Sequence, residues 1–249
     1  MTAARDTEDA VQVPPQEQAL APASKSASPT AIKTTVEDAA LVERRRAQLT
    51  QAAIACFSEN GYHSTTIRDV AERANVSIGL IYQYVGDKED LLFLALQEVL
   101  EAYQRQIPLA LEGIRDPLQR LRTAVRTHCR IHGGAVDATV LAYRETKSLR
   151  RERRDAIKQK ELDANALIAA CVQDCIACGY FCDIDVDMFV YQAVMFSHTW
   201  ALKSWHFARR MDVDTYVDRG LPMMLRGVLT AAGERSLRTL ETESGTVGT

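Results

Sequence analysis

Residues 57–92 read FSENGYHSTTIRDVAERANVSIGLIYQYVGDKEDLL. Gly61 supplies the stop expected just past a helix end. Thr65 or Thr66 can cap a short helix that ends near Ala74. Asn75 follows, a residue tolerated in the left-handed conformation of a tight turn. Ser77 can cap a second short helix to about Val85, and Gly86 breaks it. Asp87, with Asp90 three residues later, forms an acidic variant of the capping box and opens a long helix to about Gln106, before Pro108. Upstream, Leu41 to Asn60 is apolar at Leu49, Ala52, Ala53, Cys56 and Phe57, a helical spacing. Helix, turn, short helix, turn, short helix predicts a helix-turn-helix, whose second short helix enters the DNA major groove.

The chemistry of that second helix suits the prediction. Ser77 and the free N–H groups of the helix start can hold a phosphate. Gln83 can both donate to and accept from adenine, and Ile78 and Leu80 can touch a thymine methyl. Gly79 lets the backbone approach the duplex closely, and the Tyr82 and Tyr84 hydroxyls can reach phosphates. Ile81 and Val85 should point inward, onto Ile67, Val70 and Phe57.

The order Phe57-x3-Gly61-Tyr62-x2-Thr65-Thr66-Ile67-x2-Val70-Ala71-x2-Ala74-x-Val76-Ser77-x-Gly79-x-Ile81-Tyr82-x-Tyr84-Val85-x2-Lys88-Glu89-x-Leu91-Leu92 closely resembles the DNA-binding domain of the TetR family of bacterial transcriptional regulators. Val85 stands where that family more often has Phe, an apolar exchange. The resemblance implies an all-α homodimer that binds an inverted-repeat operator on double-stranded DNA and is released by a small-molecule effector. By position it implies contacts to phosphate or base edges from Thr66 and Arg68, with Thr65 beside them. It implies recognition-helix contacts from Ser77, Gly79, Tyr82 and Tyr84, and a phosphate contact from Lys88. Arg44, Arg45 and Arg46 can add to the electrostatic footprint.

Working outward, the composition is that of an ordinary globular chain: 249 residues, 47% apolar and 25% charged. No apolar run approaches the roughly 18–20 residues of a membrane span, so no membrane association is expected. The acidic start MTAARDTEDA is unlike a signal peptide, so the expected location is cytoplasmic. The formal net charge of −3 excludes a polycation that coats nucleic acid. Any DNA binding must come from a local site, and it should weaken with salt.

Residues 1–40 carry Pro14, Pro15, Pro22 and Pro29, no aromatic residue, and the whole of the net charge. They are expected to be a disordered tail. The expected division continues with a DNA-binding domain over 41–104, a helical ligand-binding and dimerisation domain over 105–231, and a flexible C-terminus over 232–249. Helical patterns cover about 116–132, 135–149, 152–178, 185–208 and 213–231.

The C-terminal domain resembles the family in outline only. By that resemblance, 152–178 and 185–208 would pair with their copies in a four-helix bundle. Polar groups set in its apolar helices include His128, Tyr143, Glu145, Thr146, His198 and His206. Of the candidates, His128, Tyr143, Thr146, Phe196 and Trp200 are taken as effector contacts. Tyr143–Leu149 and the Trp200–His206 segment look like regulators of fatty-acid and acyl-CoA catabolism, which implies an acyl-CoA or fatty-acid effector. The basic run Arg150, Arg151, Arg153, Arg154, Lys158 and Lys160 could hold the phosphates of a CoA thioester, or form a solvated helix start interleaved with Glu152, Asp155 and Glu161.

Cys171-x3-Cys175-x2-Cys178-x3-Cys182 places four thiols at helical spacing on one face. As small apolar side chains they suit a packing face. The alternative is a redox- or metal-sensing regulator that uses them. A thiol or iron–sulfur enzyme is a further rival, but the chain has neither the strands nor the glycine-rich loop such an enzyme needs. A structural DNA-binding protein without an effector is another. The expectation is a regulator, not an enzyme, with no cofactor and no metal.

Overall fold

The computed structural model describes residues 30–245. Among them lie eleven α-helices and one 3-10 turn, and the extended pairing is a single bridge between Phe181 and Leu229. The first three helices form the predicted helix-turn-helix. Helix α1 (Ala39–Asn60) is capped by Asp38, whose carboxylate accepts from Leu41 N at 3.0 Å. Helix α2 (Ile67–Arg73) carries a capping box between Thr66 and Asp69. Asn75 takes the turn with φ 52°, and Ser77 caps α3 (Ile78–Tyr84). Ile81 and Val85 are buried with Phe57 and Val70, and Ile67 packs against them, so the inner face is the one expected.

Helix α4 (Lys88–Ala110) opens on the reciprocal Asp87–Asp90 box and is the central strut. It runs through Pro108 rather than stopping before it. A proline costs one hydrogen bond there, close to the helix end. The buried Ile107 and Leu111 hold the last turn in place, and Leu111 N closes it onto Ile107 O at 3.1 Å. Around α4 pack α5 (Pro117–Gly134), α6 (Val136–Glu145) and α7 (Arg151–Ala177). A short 3-10 turn (Thr146–Ser148) separates α6 from α7. Helix α8 (Val186–Leu202) lies across α5, α6 and α7. It ends at Lys203, so the expected helix over 185–208 is split, with α9 (Ser204–Phe207) as a separate turn. Helix α10 (Val213–Leu225) lies on α5, with Arg130 clamped to Asp214 at 2.8 and 2.9 Å.

Both expected flexible ends differ where they are described. Residues 1–29 and 246–249 lie outside the described residues, so the greater part of the expected N-terminal tail does too. Residues 30–38 lie as a strap along the DNA-binding domain. Thr35 N and the Thr34 hydroxyl donate to Gln83 O at 3.0 and 2.8 Å, and Ile32 and Val36 pack on the core. Two apolar side chains and three hydrogen bonds, one of them from Arg46 to Ile32 O, offset the ordering entropy of so short a segment. At the other end the polar stretch forms α11 (Ala231–Gly245), because Leu237 and Leu240, three residues apart, bury one face of it. No helix of the described residues is long and apolar enough to cross a membrane.

Candidate functional site

Two sites emerge, one just before the start of α4 and one along its middle. The first is the outer face of α3. Ser77, Ile78, Gly79, Tyr82 and Gln83 are exposed there, with Leu80 half-buried, and Thr66 and Arg68 stand exposed at the start of α2. These polar groups and small apolar contacts are held on a fully buried underside, the layout that reads base edges. Arg44 is exposed in the first turns of α1, while Arg45 bonds to Gln48 on its own helix at 2.8 Å.

Four expected DNA contacts turn inward instead. Thr65 is buried, and its hydroxyl reaches Gly61 O at 2.8 Å. Tyr84 is buried because it falls three residues after Ile81, on the inner face of α3. Arg46 spends its guanidinium on Tyr84 O at 3.0 Å and Ile32 O at 2.9 Å. Lys88 Nζ donates to Tyr62 O, His63 O and Thr65 O at 2.8, 3.2 and 2.8 Å, which uses all three of its N–H groups. It also sits 4.5 Å from the centre of the Tyr62 ring. These residues build the recognition surface and do not extend it.

The second site is a cavity of about 310 Å³ between α4, α5, α6, α7 and α8. Leu96, Val99, Leu100, Ile157 and Val194 give it apolar walls. Tyr103, His128, His132, Thr139, Tyr143, Asn165 and His198 supply its polar side, and Lys158 and Glu161 also line it. His132 Nδ1 lies 2.8 Å from the Thr139 hydroxyl, which itself donates to Ala135 O at 2.9 Å. That proton accounting makes Nδ1 the protonated nitrogen of His132 and leaves Nε2 to accept from the Tyr103 hydroxyl beside it. His198 Nδ1 lies 2.6 Å from the Tyr143 hydroxyl.

Burial, and then the neighbouring His198, pushes His128 down to about 3. Burial alone takes His198 to about 4 and is the main cause that holds His132 well below its ordinary value. All three imidazoles are therefore neutral at pH 7. The same burial raises the Tyr103 phenol and the Glu161 carboxyl. His128 Nδ1 and Asn165 Nδ2 are buried with no hydrogen-bond partner, so the cavity holds polar groups that a ligand could satisfy.

Of the effector candidates, His128, Tyr143 and Thr146 line this cavity. Phe196 and Trp200 do not. On α8, Val194 and His198 share the face turned to the cavity, and Phe196 and Trp200 point away from it. They join Phe207 and Tyr216 in an aromatic cluster between α8, α9 and α10, with Phe196 stacked on Tyr216 at 4.5 Å. Glu145 lies outside the cavity and accepts from the Ser148 hydroxyl at 2.9 Å. The sequence reading passed over Tyr103, His132 and Asn165. The pair His128-x3-His132, one turn apart on a helix, was the signal that could have found His132.

Half of the basic run at the start of α7 is spent on α4 and its cap. Arg150 bonds Glu89 at 2.6 Å and Asp87 at 2.7 Å. Arg153 is buried against Asp90, lies 3.6 Å from Glu89 and stands over the Phe93 ring. Lys160 pairs with Glu101 at 2.9 Å, and Lys158, which pairs with Asp155, is the member of the run that lines the cavity. The cysteines are not one face. Cys171 and Cys175 are buried on α7, whereas Cys178 caps it and Cys182 lies beyond, both exposed. Burial raises the Cys175 thiol well above its ordinary range and makes it a poor nucleophile.

Residues 49–95 match the family model described as bacterial regulatory proteins, tetR family, and residues 115–228 match that of the tetracyclin repressor-like C-terminal domain. The HTH-type transcriptional regulator HbdR of Aromatoleum sp. (strain CIB) is 45% identical over 206 residues, 83% of this chain and 90% of that protein. Among solved structures, a tetR-family regulatory protein from Rhodococcus RHA1 superposes with a TM-score of 0.68 at 21% identity, over 75% of this chain and 97% of the other. The fatty acid degradation regulator FadR from Bacillus halodurans gives 0.63 at 22% identity, over 73% and 94%.

Proposed function

The chain belongs to the TetR family of bacterial transcriptional regulators, and from that footing we propose how this ligand-responsive, DNA-binding regulator works. Gln83, with Ile78 and Leu80, reads base edges in the major groove, Gly79 lets the α3 backbone approach the duplex, and Ser77, Tyr82, Thr66 and Arg68 hold phosphates. Two subunits present two α3 helices to an inverted repeat in the cytoplasm, and the bound state represses transcription. Dimerisation runs through α8 and α10 rather than α7. The apolar repeat of α7, from Ile157 to Cys175, is buried within the subunit. The uncovered apolar side chains Met188, Tyr191 and Met195 recur along one face of α8, and Met223 stands on α10.

The effector occupies the cavity between α4 and α8. Its apolar walls suit an acyl body. Its polar side is made of neutral imidazoles, phenols and an amide, so an uncharged hydrogen-bonding group fits there. A buried carboxylate would meet no cation at those groups and would be costly. This favours an acyl thioester over a free fatty acid, with Lys158 as the one cation of the lining. The structural neighbour from Bacillus halodurans is itself a fatty acid degradation regulator.

The observation that carries the reading is α4 itself. Leu96, Val99 and Tyr103 line the cavity, and two turns earlier Asp87, Glu89 and Asp90 are clamped to Arg150 and Arg153 of α7. A ligand that favours a different seat for α4 moves the α3 helices with it. It must bind that state more tightly than the DNA-bound one, or it shifts nothing.

The test is a mobility-shift titration on the DNA flanking the protein's own gene, with competitor DNA, then acyl-CoAs or free fatty acids. A specific shift released by an acyl-CoA and not by its free acid is expected. Failure of both this DNA and a selection from random DNA to yield a specific site would overturn the assignment.

A further inference from the structure

His128, His132 and His198 lie on two facing helices, and one ring nitrogen from each falls within 4.8 Å of the other two. His128 and His132 are one turn apart on α5, so both imidazoles leave the same face, and His198 meets them from α8. The His132 and His198 ring centres are 4.2 Å apart, and those of His128 and His132 are 4.9 Å apart. We propose that these three histidines form a binding site for a first-row transition-metal dication of the zinc, cobalt or nickel class.

Three observations support it. The donors are all imidazole nitrogens, which suit these ions and not magnesium or calcium. Each of two rings is oriented by an outer partner on its far nitrogen, as ligating histidines usually are: His132 Nδ1 on Thr139, and His198 Nδ1 on the Tyr143 hydroxyl. The other nitrogen of His132, Nε2, holds the Tyr103 hydroxyl, a bond that an entering ion would replace. His128 is buried, and its Nδ1 has no partner of any kind. Tetrahedral ligation at about 2.0–2.1 Å requires the nitrogens to draw in by roughly 1 Å, within reach of ring rotation. The Tyr103 hydroxyl, once displaced from His132 Nε2, is available as a fourth donor, and Glu161 in the same cavity supplies opposite charge.

The proposal uses the same cavity as the effector reading but does not rest on it. The test needs neither DNA nor effector. Full-length protein, freed of metal by chelator, is titrated with cobalt chloride and followed by visible absorption, and with zinc chloride by calorimetry. One ion per subunit is expected, with the visible bands of a four-coordinate nitrogen and oxygen site and no thiolate-to-cobalt charge-transfer band.

His128→Leu and His198→Gln should abolish the bands, with folding checked by circular dichroism. Thr139→Val, which removes only the outer partner of His132, should weaken binding by about 10- to 100-fold. His206→Ala and the pair Cys178→Ser and Cys182→Ser should leave it unchanged. No bound ion, a thiolate band in the parent protein, or binding that survives His128→Leu would each overturn the proposal. Operator release by an acyl thioester in that event would still stand.

Discussion

Lys88 and Gln83 lie five residues apart and were both expected at DNA, yet the structure gives them opposite occupations. The Lys88 ammonium bridges the three carbonyls of Tyr62, His63 and Thr65, in the turn that leads into α2. Lys88→Met should therefore act on the fold, lowering stability by about 1–3 kcal/mol as the partly buried carbonyls lose a charged donor. Gln83→Ala touches only an exposed side chain and should leave stability within about 0.5 kcal/mol. It should cost about 1–3 kcal/mol of discrimination between operator and random DNA. Thermal melts beside competition binding separate the two. A Lys88 variant with an unchanged melt and weaker DNA binding would return that residue to the phosphates. At this scale the sequence was legible wherever spacing within one helix decides, as for Ile81 and Ser77. It was not legible where a side chain reaches a different element. No spacing rule shows that Lys88 meets the carbonyls of Tyr62–Thr65, or that Arg46 is taken by Tyr84 O and Ile32 O.

Helix starts were readable because the cap is written locally: Thr66, Ser77, Asp87 and Asp116 each accept the N–H three residues on. Helix ends and docking were harder, since they depend on what lies alongside. Helix α11 is the instance. Its sequence is polar, and its stability comes from laying Leu237 and Leu240 onto the body while Thr230 N bonds Tyr180 O at 2.9 Å. Gly233 permits that approach, for a Cβ there would overlap Tyr180 O and Leu229. Gly233→Ala should undock the helix, at a cost of about 1–3 kcal/mol by denaturant titration, with faster amide exchange confined to its neighbours. Gly79→Ala is the counterpart on α3. A Cβ at Gly79 meets open space and removes a helical glycine, so the melt should hold or rise. The added methyl stands on the face offered to DNA, and operator affinity should fall. Equal melts for both alanine variants would contradict this account of α11.

At the scale of the whole molecule, the family resemblance implies a homodimer, and the burial pattern favours α8 and α10 over α7 for its seam. The apolar repeat of α7 reads in sequence as an interface, but periodicity cannot distinguish a face buried against a neighbour in the same chain from one buried against a second copy. Within the fold, α5, α4 and α8 cover it. What stays uncovered is Met188, Tyr191 and Met195 on α8 and Met223 on α10. An uncovered apolar face of this kind marks an interaction surface, and a dimer interface must be self-complementary. A charge on that face should therefore split the dimer while leaving each subunit's interior intact. Met188→Glu combined with Tyr191→Glu should sediment as a monomer with a normal helical spectrum. Its operator binding should collapse, because a single α3 holds only one half-site. The cavity between α4 and α8 is built within one subunit, so ligand should still raise the monomer's melting temperature. A variant that remains dimeric would move the interface elsewhere. A monomer that bound the full operator as tightly as the parent would break the link between assembly and recognition on which the mechanism depends.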